Sequence, residues 1–454
     1  MRCVAAACLV IAVAPRSVEA QGFGVYEHGA CAMARAGAGV AEPCPDGSAI
    51  YFNPAGLTGP RGPVISGPGT LIFGSSTFEA DAGPATTTHN GAQFAPLGYF
   101  RYGLGDRVAV GVGLYAPYGL GVRWPLSFSG RFVSYDSTLE TIYVQPTAAY
   151  TTRNGRVSVG GGLVVAVSKV DLNRREDLAP VPLGIGGLTF GSLVDSGTDF
   201  EDTALKSSRA TGLGANVGII VNASDRFRVG ARYLTRVTLS YDGTAAFTPV
   251  PGTIRVTKPN PLGLPVGTPI DGLVGLVQSA LVDQPIATEL PMPAQFIAGV
   301  SYHVTPRVTL LGDYQWVEWS AFDTVKLDFS LPLPTDEVLV QNYRNTSGIR
   351  IGMDVKARPS VTLRAGYTFN AAAAPDETVT PLLPEASRNH ITGGVGWTPW
   401  SQWSFDVAYQ FIAHADRRGR TVNPPSGTAA TTGLNSGVYR SRSDLIGFSV
   451  TYRP

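Results

Sequence analysis

Groups able to do chemistry are few in this chain, and their spacing favours binding over turnover. Histidine occurs five times, at 28, 89, 303, 390 and 414, with no G-x-S-x-G, H-E-x-x-H or phosphate-loop spacing nearby. A Ser/His/acid set would have to assemble in space from distant segments. Arg228, Arg232, Arg350 and Arg364 fall in one phase of alternating runs, with Asp313, Asp354 and Asp406 in the same phase. A guanidinium on such a face could bind a carboxylate by charge-assisted hydrogen bonds. Arg and Asp networks that simply fill a polar interior are the competing reading. Asn53-Pro54-Ala55 offers a side chain able to bond two backbone groups, followed by a ring that fixes the turn. Cys31 and Cys44 lie near a single imidazole, His28, which makes a poor zinc set, so no metal and no cofactor is expected.

The elements that must position these residues read as strands. Met1-Arg2, the apolar run Cys3–Ala14 and the small residues of Val18-Glu19-Ala20 form an export signal over residues 1–20, too short to span a bilayer. Export into an oxidising compartment, with two cysteines left after cleavage, favours a Cys31–Cys44 disulfide over metal binding. Charged residues make up 15% of the chain against about 25% in ordinary globular domains, and net charge is +1, which points away from nucleic acid. Period-two alternation dominates. Val361, Leu363, Ala365, Tyr367 and Phe369 share one face, as do Trp403, Phe405, Val407, Tyr409 and Phe411. Fourteen such runs are predicted, among them 64–77, 93–104, 107–117, 226–241, 290–304 and 440–453, joined by short turns such as Asn154-Gly155 on one side and longer loops on the other. Alternation alone fits a soluble sandwich as well as a barrel. Low charge and the export signal favour the barrel.

In a predicted loop at 242–288, Ile270, Leu273, Val274, Val277 and Leu281 recur at helical spacing. A second loop, 172–206, contributes Leu188 and Phe190. These apolar residues either pack on one another or leave a groove that captures an apolar ligand. At Tyr115-Ala116-Pro117-Tyr118-Gly119, Pro117 and Gly119 weaken the third strand's ladder, marking either a strand end or an opening in the wall.

Gly22-Phe23, the run Arg35–Ala41 (RAGAGVA) and Asn53-Pro54-Ala55, in this order, resemble the opening of the FadL/TodX family of outer-membrane transport proteins. The segments Leu139–Leu163, Val317–Phe322 and Leu383–Trp397 are similar to later family segments, so the likeness spans the mature chain, although the family's terminal aromatic gives way to Arg453-Pro454. The resemblance implies an all-β transmembrane antiparallel β-barrel over residues 63–454, with residues 21–62 as a hatch inside it. It implies uptake of a long-chain fatty acid or other apolar small molecule, captured at the extracellular loops. Release follows laterally into outer-membrane lipid through an inward kink in the third strand. A monomer without cofactor is expected. A barrel enzyme hydrolysing lipid, or a general diffusion porin, are the alternatives.

Overall fold

The computed structural model describes residues 22–81, 83–419 and 436–454, so the export segment read at 1–20 lies outside the described residues. Fourteen antiparallel strands form the wall: β1 (Gly62–Ala80), β2 (Gln93–Pro96 and Gly98–Gly103), β3 (Val108–Tyr115 and Gly119–Arg123), β4 (Asp136–Thr151) and β5 (Val157–Asp177). They continue with β6 (Asp199–Ser207 and Ala210–Asn222), β7 (Phe227–Leu234 and Val237–Pro249), β8 (Gln284–Met292 and Gln295–Thr305), β9 (Val308–Val317) and β10 (Thr346–Arg358). The last four are β11 (Val361–Asn370), β12 (Arg388–Trp400), β13 (Trp403–His414) and β14 (Gly437–Tyr452). Sequence neighbours pair along the wall, with ladder interruptions between β2 and β3 beside Gly119–Arg123 and between β6 and β7 beside residues 210–215, and β14 returns to β1 from Ile65↔Tyr452 to Ala80↔Gly437, which closes the sheet.

The outward face is apolar: Leu213 is 77% exposed, Leu163 69% and Ile391 61%. A surface of this kind is matched to lipid rather than water. Aromatic residues bound it. Tyr367 and Trp397 project from neighbouring strands, with Val361↔Trp397 and Tyr367↔Ile391 in register, so the two rings sit six residues apart along the wall. At ~3.3 Å per residue that is about 20 Å, close to the height of a tilted apolar band between girdles.

Two expectations about the wall need correction. The sequence predicts unbroken strands over 226–241 and 290–304, but β7 is interrupted at Thr235-Arg236 and β8 at Pro293-Ala294. Leu234↔Gln295 and Val237↔Met292 keep the same register on either side, so one bend crosses both strands where Pro293 has no N–H to donate. The loops expected at 172–206 and 242–288 are shorter, because β5 runs to Asp177, β6 starts at Asp199, β7 runs to Pro249 and β8 starts at Gln284. Ladders such as Arg174↔Thr203 and Thr248↔Asp202 extend the wall above the membrane, and charged side chains there gave those strands the look of loops.

Candidate functional site

Residues 22–57 fill the lumen, with short helices α1 (Ala30–Met33) and α2 (Ala49–Phe52) and a 3-10 turn at Pro54–Leu57. Residues 26–41 are buried without exception. Small side chains explain how so much backbone reaches the wall, and the wall answers with glycines on its inner face. A Cβ at Gly366 would lie 2.5 Å from the Arg35 carbonyl carbon, and one at Gly230 would overlap the Val40 carbonyl. Inward polar side chains then bind the segment's backbone. Asp313 accepts from the N–H groups of Gly39 (2.8 Å) and Val40 (3.1 Å), and Thr368 and Thr392 donate to the carbonyls of Ala36 (2.8 Å) and Ala34 (3.0 Å). Asn53 sits at the centre of this interface. Its Nδ2 lies 2.7 Å from Val40 O, 3.1 Å from Ile219 O and 3.2 Å from Ala231 O, while Oδ1 accepts from Ala55 N at 3.1 Å. Pro54 and Ala55 follow in the turn it caps, both buried. Cys31 and Cys44 are bridged to each other within the segment.

The four inward arginines serve this interface. Arg232 donates to Asn216 Oδ1 and Gln295 Oε1, both at 3.0 Å, and lies over the Tyr51 ring. Arg350 donates to Gln315 and to Gly37 O, and lies over Tyr26. Arg364 pairs with Asp406 at 2.6 Å and Asp354 at 3.6 Å, and Arg228 with Glu42 at 3.6 Å. None lines the apolar cavity described next, so the structure does not bring them to a carboxylate site there.

That cavity lies above the N-terminal segment and has an empty volume of about 970 Å³, open solvent included. Leu139, Leu205, Ile286, Leu290, Phe322 and Leu327 are among the residues that line it. Sequence reading missed them as a set because they come from several strands and a loop hairpin, and only alternation marked each as inward. The loop helix predicted at 270–281 is present as α3 (Asp271–Ala280) but belongs elsewhere. Ile270 and Val274 are buried against Leu178, Phe190 and Leu193, with Leu273, Val277 and Leu281 packed around them. Leu188 lies in the neighbouring turn, where its N–H meets Ile185 O. The two loops thus form their own small core, and none of these residues lines the cavity.

β3 breaks at Ala116–Tyr118 and resumes at Gly119. Residues 23–25 take up the groups the ladder leaves: Val25 N donates to Pro117 O at 2.8 Å and Gly119 N to Phe23 O at 3.0 Å. Tyr118 swings into the lumen, where its hydroxyl donates to Pro293 O at 2.7 Å, at the bend in β8. Beyond the break, Gly119–Arg123 ladders with β4, and no ladder joins it to the facing residues Gln93–Pro96 of β2 among the described residues. The wall there is held by Gln93 Nε2 to Gly121 O at 3.2 Å, by Arg123 N to Asn90 Oδ1 at 2.8 Å and by His89 N to Arg123 O at 2.8 Å. Phe94, on the outer face, is 54% exposed and stacks on lipid-facing Phe448 at 6.2 Å, so the seam lies at membrane depth. A polar cleft behind it, lined by Gln93, Gly121, Arg388 and His390, shares Phe23, Leu120 and Leu383 with the apolar cavity.

A closed fourteen-strand barrel with an apolar outer band, a filled lumen and an apolar cavity defines an outer-membrane barrel of the transport type. Residues 11–453 match the family described as Outer membrane protein transport protein (OMPP1/FadL/TodX), and the chain belongs to it. A putative outer membrane protein of Neisseria meningitidis is 23% identical, covering 97% of this chain and 96% of its own. The Long-chain fatty acid transport protein of Escherichia coli O6:H1 is 21% identical over 89% of this chain and 90% of its own. Among solved structures, a Pseudomonas aeruginosa FadL homologue superimposes with a TM-score of 0.79 at 19% identity, covering 95% of this chain and 99% of that one. The P. putida toluene transporter TodX does so with 0.68 at 17% identity, covering 96% and 98%. The chain is therefore an outer-membrane member of a family of transporters for fatty acids and hydrocarbons.

Proposed function

We propose that this protein takes up hydrophobic small molecules without chemical turnover. The ligand rests in the apolar cavity, passes the Phe23, Leu120 and Leu383 boundary, and leaves sideways between β2 and β3 into the membrane. Residues 22–57 act as the hatch that closes the axial route. One observation carries this reading: the apolar cavity shares three side chains with a cleft that ends at the β2/β3 seam described above, at lipid depth. An axial exit would force each buried CH₂ of the ligand into water at about 0.8 kcal/mol, whereas a lateral exit keeps it in an apolar phase. The apolar band favours a monomer, since exposed outer-face residues occur on strands all round the wall. Capture is assigned to the cavity and not to the α3 stripe, whose apolar residues already have protein partners.

The test is Leu205→Asp. A carboxylate at this cavity position should cut binding and uptake of an apolar probe at least tenfold, while the unboiled barrel keeps its compact gel migration. Unchanged uptake in a folded variant removes the cavity from the route.

A further inference from the structure

Among the described residues the cavity's lining includes two charged ones, Asp171 and Lys206, at strand positions that alternate away from it. The two are register partners on β5 and β6. The inward positions of those strands are held by their neighbours Val170, Leu172 and Leu205, and Asp171 pairs with Lys169, itself 44% exposed. The hydroxyl of the lining Tyr241 is already used, donating to Ser168 Oγ at 2.7 Å. No Lys or Arg among the described lining residues therefore presents a cation to the empty space.

The polar ring next to the cavity has the opposite sign from one that would welcome an anion. Arg174, Glu201 and Glu337 lie two, four and two residues along their strands from the lining residues Leu172, Leu205 and Leu339. Arg174 is shared between Glu176 and Glu337, at 2.8 Å each. Glu201 is 1% exposed, and its Oε2 has no hydrogen-bond partner. Arg174 is thus taken by two carboxylates and Arg175 by Asp202 at 3.2 Å, which leaves Glu201 without a cation of its own. Burial, then Glu176 and Asp202 nearby, push the Glu201 carboxyl up to about 7, a further sign that negative charge is already in excess there.

Resting on the transport reading above, we infer that the cavity selects an uncharged hydrocarbon skeleton and discriminates against the carboxylate of a fatty acid. A carboxylate placed among these side chains would be desolvated with no cation, and only scattered neutral donors such as the unpartnered Thr288 hydroxyl, to replace its water. The inward arginines cannot supply one without abandoning their partners in the wall and the N-terminal segment. The nearest alternative is Arg388 in the adjoining cleft, whose Nη2 donates to Gly22 O at 2.7 Å and whose buried Nε has no hydrogen-bond partner.

The experiment compares two probes that differ only in the end group, methyl in hexylbenzene and carboxylate in 6-phenylhexanoate, competing at pH 8 against a neutral fluorescent hydrocarbon bound to the detergent-purified full chain. Hexylbenzene is expected to displace the probe at a concentration at least tenfold lower than the acid. The acid should regain most of that difference at pH 4, where it is protonated and uncharged. Arg388→Gln should leave the ratio unchanged. An acid that binds equally well or better at pH 8, with its affinity lost in Arg388→Gln, overturns the inference and moves the headgroup site to the cleft. Failure of the folded full chain to bind the fluorescent hydrocarbon at all, before any competitor is added, overturns the cavity as a ligand site and with it the transport reading itself.

Discussion

Asn53 ties the turn after α2 both to the small-residue run at Val40 and to the wall carbonyls of β6 and β7. Ile219 O and Ala231 O belong to ladder strands, whereas Val40 O depends on this side chain among the contacts described. Asn53→Ala should therefore cost about 1–3 kcal/mol of seating energy for the N-terminal segment and leave the barrel closed. Limited proteolysis should cut residues 22–57 faster in the variant, with the barrel fragment intact; an unchanged cutting rate would show that the wall glycines and threonines suffice. His28 carries a second prediction at this scale. Buried against Tyr51 at 3.9 Å between centroids, its Nε2 donating to Val25 O at 3.0 Å, it is held down to about 3 by burial first and Arg232 next. The displaced segment binds a proton at His28 below about 6.5, and the seated one does not until about 3. Seating is thus fully favourable above pH 6.5 and weakens as pH falls from 6.5 towards 3, by about 1.4 kcal/mol per unit. His28→Phe should flatten that part of a proteolysis-against-pH profile, and a profile still as steep would assign the titration to another group.

Among the elements, α3 and the loop at 178–198 form a core separate from the cavity. Val274 is 3% exposed at its centre. Val274→Asp should loosen the loop pair by about 2–4 kcal/mol, since it buries an unpaired carboxylate and removes apolar contact. Protease should then enter the loops, while displacement of an apolar probe from the cavity stays within threefold of the parent protein; a tenfold loss would restore the loops as the capture site. This division marks the limit of what sequence conveys. Period-two alternation exposed all fourteen strands, because each lies between lipid and a polar lumen and must alternate. Helical spacing at Ile270–Leu281 located α3, and Pro117 with Gly119 marked the break in β3. What helical spacing lacks is the identity of the surface that covers the stripe, so packing and groove read alike. The bend at Pro293 stayed hidden because residues on either side keep their phase. The cavity stayed hidden because Leu139, Leu205 and Ile286 are single inward positions on three different wall strands and Leu327 sits on a loop hairpin, brought together only when the sheet closes and the hairpin folds over it.

For the molecule as a whole, the filled lumen separates this barrel from an open channel. Residues 26–41 are buried within it, and wall glycines such as Gly366 leave no room between segment and wall. Single-channel recording should show no steady conductance for the intact protein, and large steady conductance for a variant lacking residues 22–57. Equal conductance in both would mean that the segment is no barrier to ions.

The central claim is that the ligand leaves through the side of the wall. Gln93 on β2 and Gly121 on β3 face each other across the seam, Gln93 Nε2 lying 3.2 Å from Gly121 O. Gln93→Cys combined with Gly121→Cys should form a disulfide that fastens β3 to β2 where the ladder is missing. Uptake of a labelled apolar probe into cells is then measured with the bridge formed and after its reduction, with each single variant as control. Lateral exit predicts uptake abolished in the bridged protein and restored on reduction; full uptake with the bridge shown to be closed would contradict it.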